Sequence, residues 1–302
     1  MEPSASEPST RRAIDAAALL RQRQRLAVAE PPWLHGEVAR RMGERLPIVK
    51  LQPDHLLDWW AHLGASRALL DAAYPKARQT RVEPDARLLE RSRSALARPW
   101  WARLGGRQPA PQAVQEVAAG GAQLVWANMM LHAVPDPQEQ MAQWHRALAV
   151  DGFLMFSTLG PGSLGGLRSL YADAGWPPPH AAFVDMHDLG DMLVHAGFAD
   201  PVMDQEVLTL TWATPDALLA ELRGLGANAH PARFAGLRTP RWRRGLVQRL
   251  ESLRGPDGRL RLDFELVYGH AFRPPPQPRI DGLTAVPLDD MRAMVRAGRP
   301  RG

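Results

Sequence analysis

The chain has 302 residues, 45% of them apolar, and a formal net charge of +5 that arginine supplies almost alone. Such a length and apolar share suit one large α/β domain with a lid, or two smaller ones, and argue against global disorder. The absence of cysteine excludes disulfides, thiolate metal sites and cysteine nucleophiles, and no apolar run approaches the ~20 residues needed to cross a bilayer.

Met1 to Thr10 is polar and acidic, unlike a signal peptide, and reads as a disordered tail with a cytoplasmic location expected. Residues 11–46 read as N-terminal helices, because Leu19, Leu26, Leu34, Val38 and Met42 recur at three- and four-residue spacing; Pro31 and Pro32 divide them. A short buried strand is expected within Ile48 to Asp58, then a helix over Ala65 to Ala73. A second strand follows at Gln79 to Glu83 and a second helix at Ala86 to Ala97. Pro99 to Gly121 is rich in proline and glycine and reads as irregular surface chain. Gln123 to Leu131 is an uncharged strand, Pro137 to Leu148 a helix, and Phe153 to Thr158 another apolar strand. Uncharged strands alternating with helices predict a parallel, doubly wound sheet covered on both faces. Beyond Gly160, helices are expected at Ser163 to Ala174, Asp188 to Ala196, Pro215 to Leu225 and the basic stretch Arg233 to Leu253, with strands at Val202 to Trp212 and Phe264 to Phe272. Residues 274–302 form a proline-rich tail.

In doubly wound sheets ligands sit at the carboxyl ends of the strands. A nucleoside cofactor needs an open loop after the first strand and a carboxylate, for its ribose hydroxyls, after the second. Leu57 to Gly64 is the candidate loop, and Glu83, 19 positions after Gly64, the candidate carboxylate. Asp58 also reads as a helix cap, and Glu83 as a cap before Pro84.

The loop resembles the Leu-Asp-x-Gly-x-Gly-x-Gly pattern of class I S-adenosylmethionine (SAM) methyltransferases at Asp58 and Gly64. Trp60 and His62 stand where the first two glycines belong. Gln123 to His132, His145 to Gly152, Phe156 to Leu164 with Arg168, Phe183 to Phe198, Leu208 to Trp212 and Val267 to Ala271 are similar to the biotin-pathway malonyl-acyl carrier protein O-methyltransferases. The resemblance covers residues 30 to 273 and is strongest over 123–273. It departs again at Arg12 to Ala17, where the family carries a tyrosine in an Ala-x-x-Tyr-Asp element.

What the resemblance implies is a Rossmann-like α/β fold of the class I methyltransferase type, with a SAM-binding core over 47–160. The rest of the methyltransferase domain, with a helical lid after strand five, then spans 161–273. It implies methyl transfer to the free carboxyl of malonyl-acyl carrier protein in biotin biosynthesis, with Asp58, Gly64, Glu83 and Asn128 as cofactor residues. The acceptor carboxylate is already ionised at neutral pH, so the chemistry asks for positioning and for a cation to hold it. Arg168, one helical segment beyond strand five, is the first candidate for that cation, with Asn128 beside it; an exposed helix arginine and a strand-end turn residue are the plainer readings. His132, His187, His270 and Tyr268 read as pocket groups or as plain structure.

The arginines between Arg233 and Arg261 form a basic stretch suited to the acidic carrier protein or to solvent alone. No metal-ligand spacing and no phosphate loop emerges; neither nucleic acid nor a membrane is expected as partner, and the chain is expected to be a monomer. Two other readings stay open. One is a non-catalytic binding or assembly factor on the methyltransferase fold that has lost SAM. The other is a SAM-using relative with different chemistry, such as protein-arginine hydroxylation.

Overall fold

The computed structural model describes residues 12–26, 30–96, 110–226 and 228–276. The tail before Arg12, the Trp100-Trp101 pair and the proline-rich end from residue 277 onward lie outside the described residues.

Seven strands form one sheet: β1 (His55–Trp59), β2 (Arg78–Glu83), β3 (Gln112–Ala113), β4 (Ala122–Ala127), β5 (Leu148–Leu159), β6 (Ala199–Trp212) and β7 (Leu260–Phe272), in the order β3-β2-β1-β4-β5-β7-β6. The first five pair in parallel. β7 runs antiparallel between β5 and β6, so the sheet is mixed where the uncharged strands predicted a parallel one. A parallel β6–β7 pair would need a crossover helix packed on the sheet; here β7 returns the other way.

Side-chain alternation gives the sheet its two faces. Leu56, Leu124, Trp126, Phe153 and Met155 enter one apolar cluster with Leu34, Val38 and Met42. Leu57, Val125, Ala127, Leu154 and Phe156 enter the other with Met141, Trp144, Leu189 and Leu193. The centres of both clusters are fully buried, as close packing of a two-sided sheet requires.

Among the described residues ten helices flank the sheet: α1 (Ala16–Leu26), α2 (Trp33–Gly43), α3 (Ala61–Gly64), α4 (Arg67–Ala73), α5 (Ala86–Leu96), α6 (Pro137–Ala147), α7 (Gly165–Asp173), α8 (Met186–His195), α9 (Pro215–Leu225) and α10 (Pro240–Leu250). Three of them start alike. Asp136, Thr214 and Thr239 cap α6, α9 and α10 by accepting the N–H of the third helical residue, and each is followed by a proline at the first position. The basic stretch from Arg233 is therefore helical only from Pro240, whose ring cannot sit inside a helix. The helix expected over Ala65 to Ala73 is broken at Ala65, which has a φ of 55°. The short strand expected within Ile48 to Asp58 forms over His55–Trp59, and the segment expected to be irregular contains β3.

Candidate active site

β1 ends at Trp59, and Trp60 takes the left-handed conformation (φ 57°, ψ 48°) that the loop's first glycine would adopt without cost. Its N–H donates to Val82 O at 2.7 Å, and its ring is buried in the apolar cluster with Leu57, Leu63 and Val82. A left-handed non-glycine residue costs roughly 1–2 kcal/mol, less than burial of an indole returns. The chain has thus kept the turn and filled its hollow with a side chain.

The expected cofactor residues lie at this end of the sheet, but Glu83 and Asn128 bond to the protein's own chain. Glu83 is fully buried; its Oε1 accepts the His62 N–H at 2.9 Å and the Ser92 hydroxyl, while Oε2 has no partner among the described residues. Burial pushes its carboxyl up to about 8, and pushes Asp58, also buried, up to about 7. Asn128 donates from Nδ2 to His35 O at 2.8 Å and to Gly64 O at 2.6 Å, and its Oδ1 accepts from Ser157 Oγ at 2.6 Å. Gly64 is not crowded: a Cβ there would have Asn128 O, at 3.6 Å, as its nearest neighbour.

SAM would need a carboxylate facing its ribose and a hollow for its methionine portion. Glu83 is held by the loop backbone and the Ser92 hydroxyl, so in this arrangement it is not turned toward a ribose. An open groove of about 490 Å³ runs outside Trp60, between Pro84, Val114, Gln115 and Gln140. The Arg23 guanidinium lies 5.6 Å above the indole there.

A second cavity, about 140 Å³, lies below α1 beside the end of β5. Leu159, Leu164, Leu167, Phe183 and Phe264 are its apolar walls, and Arg12, His132, His180 and Asn228 its polar ones. Arg12 Nη1 donates to His132 O and to Val134 O (3.3 Å), and Nη2 donates to Ala182 O. Burial lowers this guanidinium to about 10, and no carboxylate pairs with it among the described residues. His132 is pushed down to about 3 by burial and is neutral. Gly226, at φ 135°, closes α9 against the same cavity, where a Cβ would overlap Gln22 Nε2.

The remaining sequence candidates fall elsewhere. Arg168 is exposed and donates to Pro161 O at 2.5 Å and Ser163 O at 3.2 Å; it lies beside the cavity, whose wall its neighbours Leu164 and Leu167 supply. His187 is on the surface against Asp185. His270 packs edge-on to Phe272. Tyr268 donates to Glu206 Oε1 at 2.7 Å beneath the Arg45 guanidinium. Sequence reasoning missed Arg12 and His180. Arg12 stands in the stretch weighed only for its missing tyrosine, and His180 follows a run of prolines that carries no periodic signal. Among the described residues no group of three His, Asp or Glu side chains is placed to hold a metal ion.

Comparison with known proteins decides the family. The malonyl-[acyl-carrier protein] O-methyltransferase of Gallionella capsiferriformans is 38% identical over 260 residues, covering 84% of this chain and 88% of that one. The protein of the same name from Laribacter hongkongensis is 39% identical, covering 82% and 84%. The chain belongs to the malonyl-[acyl-carrier protein] O-methyltransferase family. No protein-family model matches it. Among solved structures, the YcgJ protein of Bacillus subtilis superposes with a TM-score of 0.52 at 11% identity, over 78% of this chain and 99% of that one, a likeness of fold. The fold is a Rossmann-like α/β fold.

Proposed function

We propose that the protein methylates the free carboxyl of malonyl-acyl carrier protein, with SAM as the methyl donor, as a cytoplasmic monomer serving biotin synthesis. The observation that carries this reading is the family identity, which spans 84% of the chain at 38%. The acceptor side supports it: an apolar cavity with one arginine and no acidic residue among its described lining suits a short acyl chain ending in a carboxylate. The carboxylate is its own nucleophile, so the chain's residues have to bind it, orient it and keep water away rather than move a proton. The exposed arginines of α10, a helix without an acidic residue, suit the acidic carrier protein. The test is incubation of the purified chain with malonyl-acyl carrier protein and SAM, read by intact mass. A gain of one methyl group supports the proposal; an unchanged mass overturns it.

The closed loop supports a second reading, a family member that binds the loaded carrier protein without transferring a methyl group. Calorimetric titration separates the two. Heat with the carrier protein but none with SAM favours the binding protein, and heat with both favours the enzyme.

A further inference from the structure

The cavity below α1 has features that the closed loop does not explain. Arg12 sits immediately before α1, and its main-chain N–H is tied to Pro135 O at 2.8 Å. Both terminal nitrogens of its guanidinium are held by main-chain carbonyls of two separate segments, 132–134 and residue 182. The guanidinium is thereby fixed in place, yet its charge meets only neutral acceptors. A charge drawn out of water is ordinarily paired with an anion, and half-buried Arg12 has none among the described residues. Three nitrogens around this cavity, Arg12 Nε, His132 Nδ1 and His180 Nε2, are buried with no protein partner among the described residues. Buried polar atoms left unpaired are uncommon, and three at one cavity point to a missing group.

Size and walls define that group. A cavity near 150 Å³ accepts a molecule the size of benzene, about six heavy atoms. A malonyl group has three carbons and three oxygens, and this cavity measures about 140 Å³. Leu159, Leu164, Leu167 and Phe264 suit a methylene, and Arg12 suits a carboxylate end. The roof is held down independently, since Asp15 caps α1 through the Ala18 N–H and accepts from Arg233 Nη1 at 2.5 Å.

We infer that this cavity is the acyl subsite and that Arg12 selects an acyl group carrying a free carboxylate over one that is esterified or lacks it. The inference rests on the proposed acceptor, a malonyl thioester, but not on transfer of the methyl group. His132 and His180 flank the carboxylate, and Arg168 stays outside it.

The experiment is calorimetric titration of the full chain with malonyl-pantetheine, its methyl ester and acetyl-pantetheine. The expected result is a Kd at least tenfold lower for the free acid than for the other two. Arg12→Gln is expected to erase that preference and leave acetyl-pantetheine binding within twofold, while Arg12→Lys retains part of it. Leu164→Trp, which fills the cavity but keeps the arginine, is expected to weaken all three. Equal affinity of the wild-type chain for the three thioesters, or no binding of the free acid, overturns the inference without any variant having to fold; so does a preference that survives in Arg12→Gln. Selective binding without methyl transfer would uphold the subsite and defeat the proposed activity. Methyl transfer with unselective binding would do the reverse.

Discussion

The His62 N–H donates to Oε1 of Glu83 at 2.9 Å, so the carboxylate that follows β2 holds the protein's own loop. In a cofactor-binding arrangement that carboxylate would be turned toward ribose hydroxyls. The pairing follows from the residues before it. Trp60 enters the left-handed region and buries its ring, α3 then packs against β2, and its His62 N–H meets Glu83.

Opening the loop is expected to restore cofactor affinity at a cost in stability. Trp60→Gly with His62→Gly restores both glycines of the family pattern. It relieves roughly 1–2 kcal/mol of left-handed strain but removes a buried indole, which costs about 3–5 kcal/mol. Burial wins, so the double variant should melt lower than the wild type by differential scanning calorimetry. Its SAM affinity, read by titration, should rise at least tenfold. Unchanged affinity would show that something other than Trp60 blocks the site.

Stability should fall as the pH rises. Glu83 and Asp58 have folded pKa values of about 8 and about 7, both above those of unfolded carboxyls near ~4. Between those limits the folded state holds protons that the unfolded state has released, so stability is full below pH ~4 and declines as pH rises through the folded values. The slope for one such group is at most about 1.4 kcal/mol per pH unit. Glu83→Gln keeps an acceptor for the His62 N–H and loses the titration. Urea denaturation from pH 5 to 8 should therefore show a shallower decline in the variant, and parallel slopes would sink the assignment.

Asn128 is expected to be a fastener. Its carboxamide ties α2 through His35 O, the loop through Gly64 O and β5 through Ser157 Oγ, all buried. Asn128→Ala removes three buried hydrogen bonds, at about 0.5–1.5 kcal/mol each. A loss of about 2–4 kcal/mol in urea denaturation is the expected outcome. A change under ~0.5 kcal/mol would leave its bonding pattern without energetic weight.

Arg168→Ala is expected to leave malonyl-pantetheine binding within about twofold. The side chain is exposed and spends its donors on Pro161 O and Ser163 O, and surface contacts of this kind are worth little. A tenfold loss in titration would return Arg168 to the acceptor site.

Much of the sheet was legible because burial on two faces writes itself into the sequence. Gln123 to Leu131 and Phe153 to Thr158 announced β4 and β5 by lacking charge, and Pro137 and Pro215 mark true helix starts. The direction of β7 was not legible, since alternation is the same in parallel and antiparallel strands. The break at Ala65 was hidden too, because alanine is the strongest helix former and gives no local sign of a left-handed turn.

The sequence by itself determined which residues gather at the cofactor end: Asp58, Gly64, Glu83 and Asn128 lie together there, with Trp60 and His62 in place of glycines. Only the tertiary structure decided what they face. Whether a buried carboxylate meets a ligand or a neighbouring N–H depends on the path of a four-residue turn, α3, and on one ring that found apolar company. The same holds for Arg12. Its charge was plain in the sequence, but its want of an anion exists only where residues 132–134, 180–182 and the start of α1 come together.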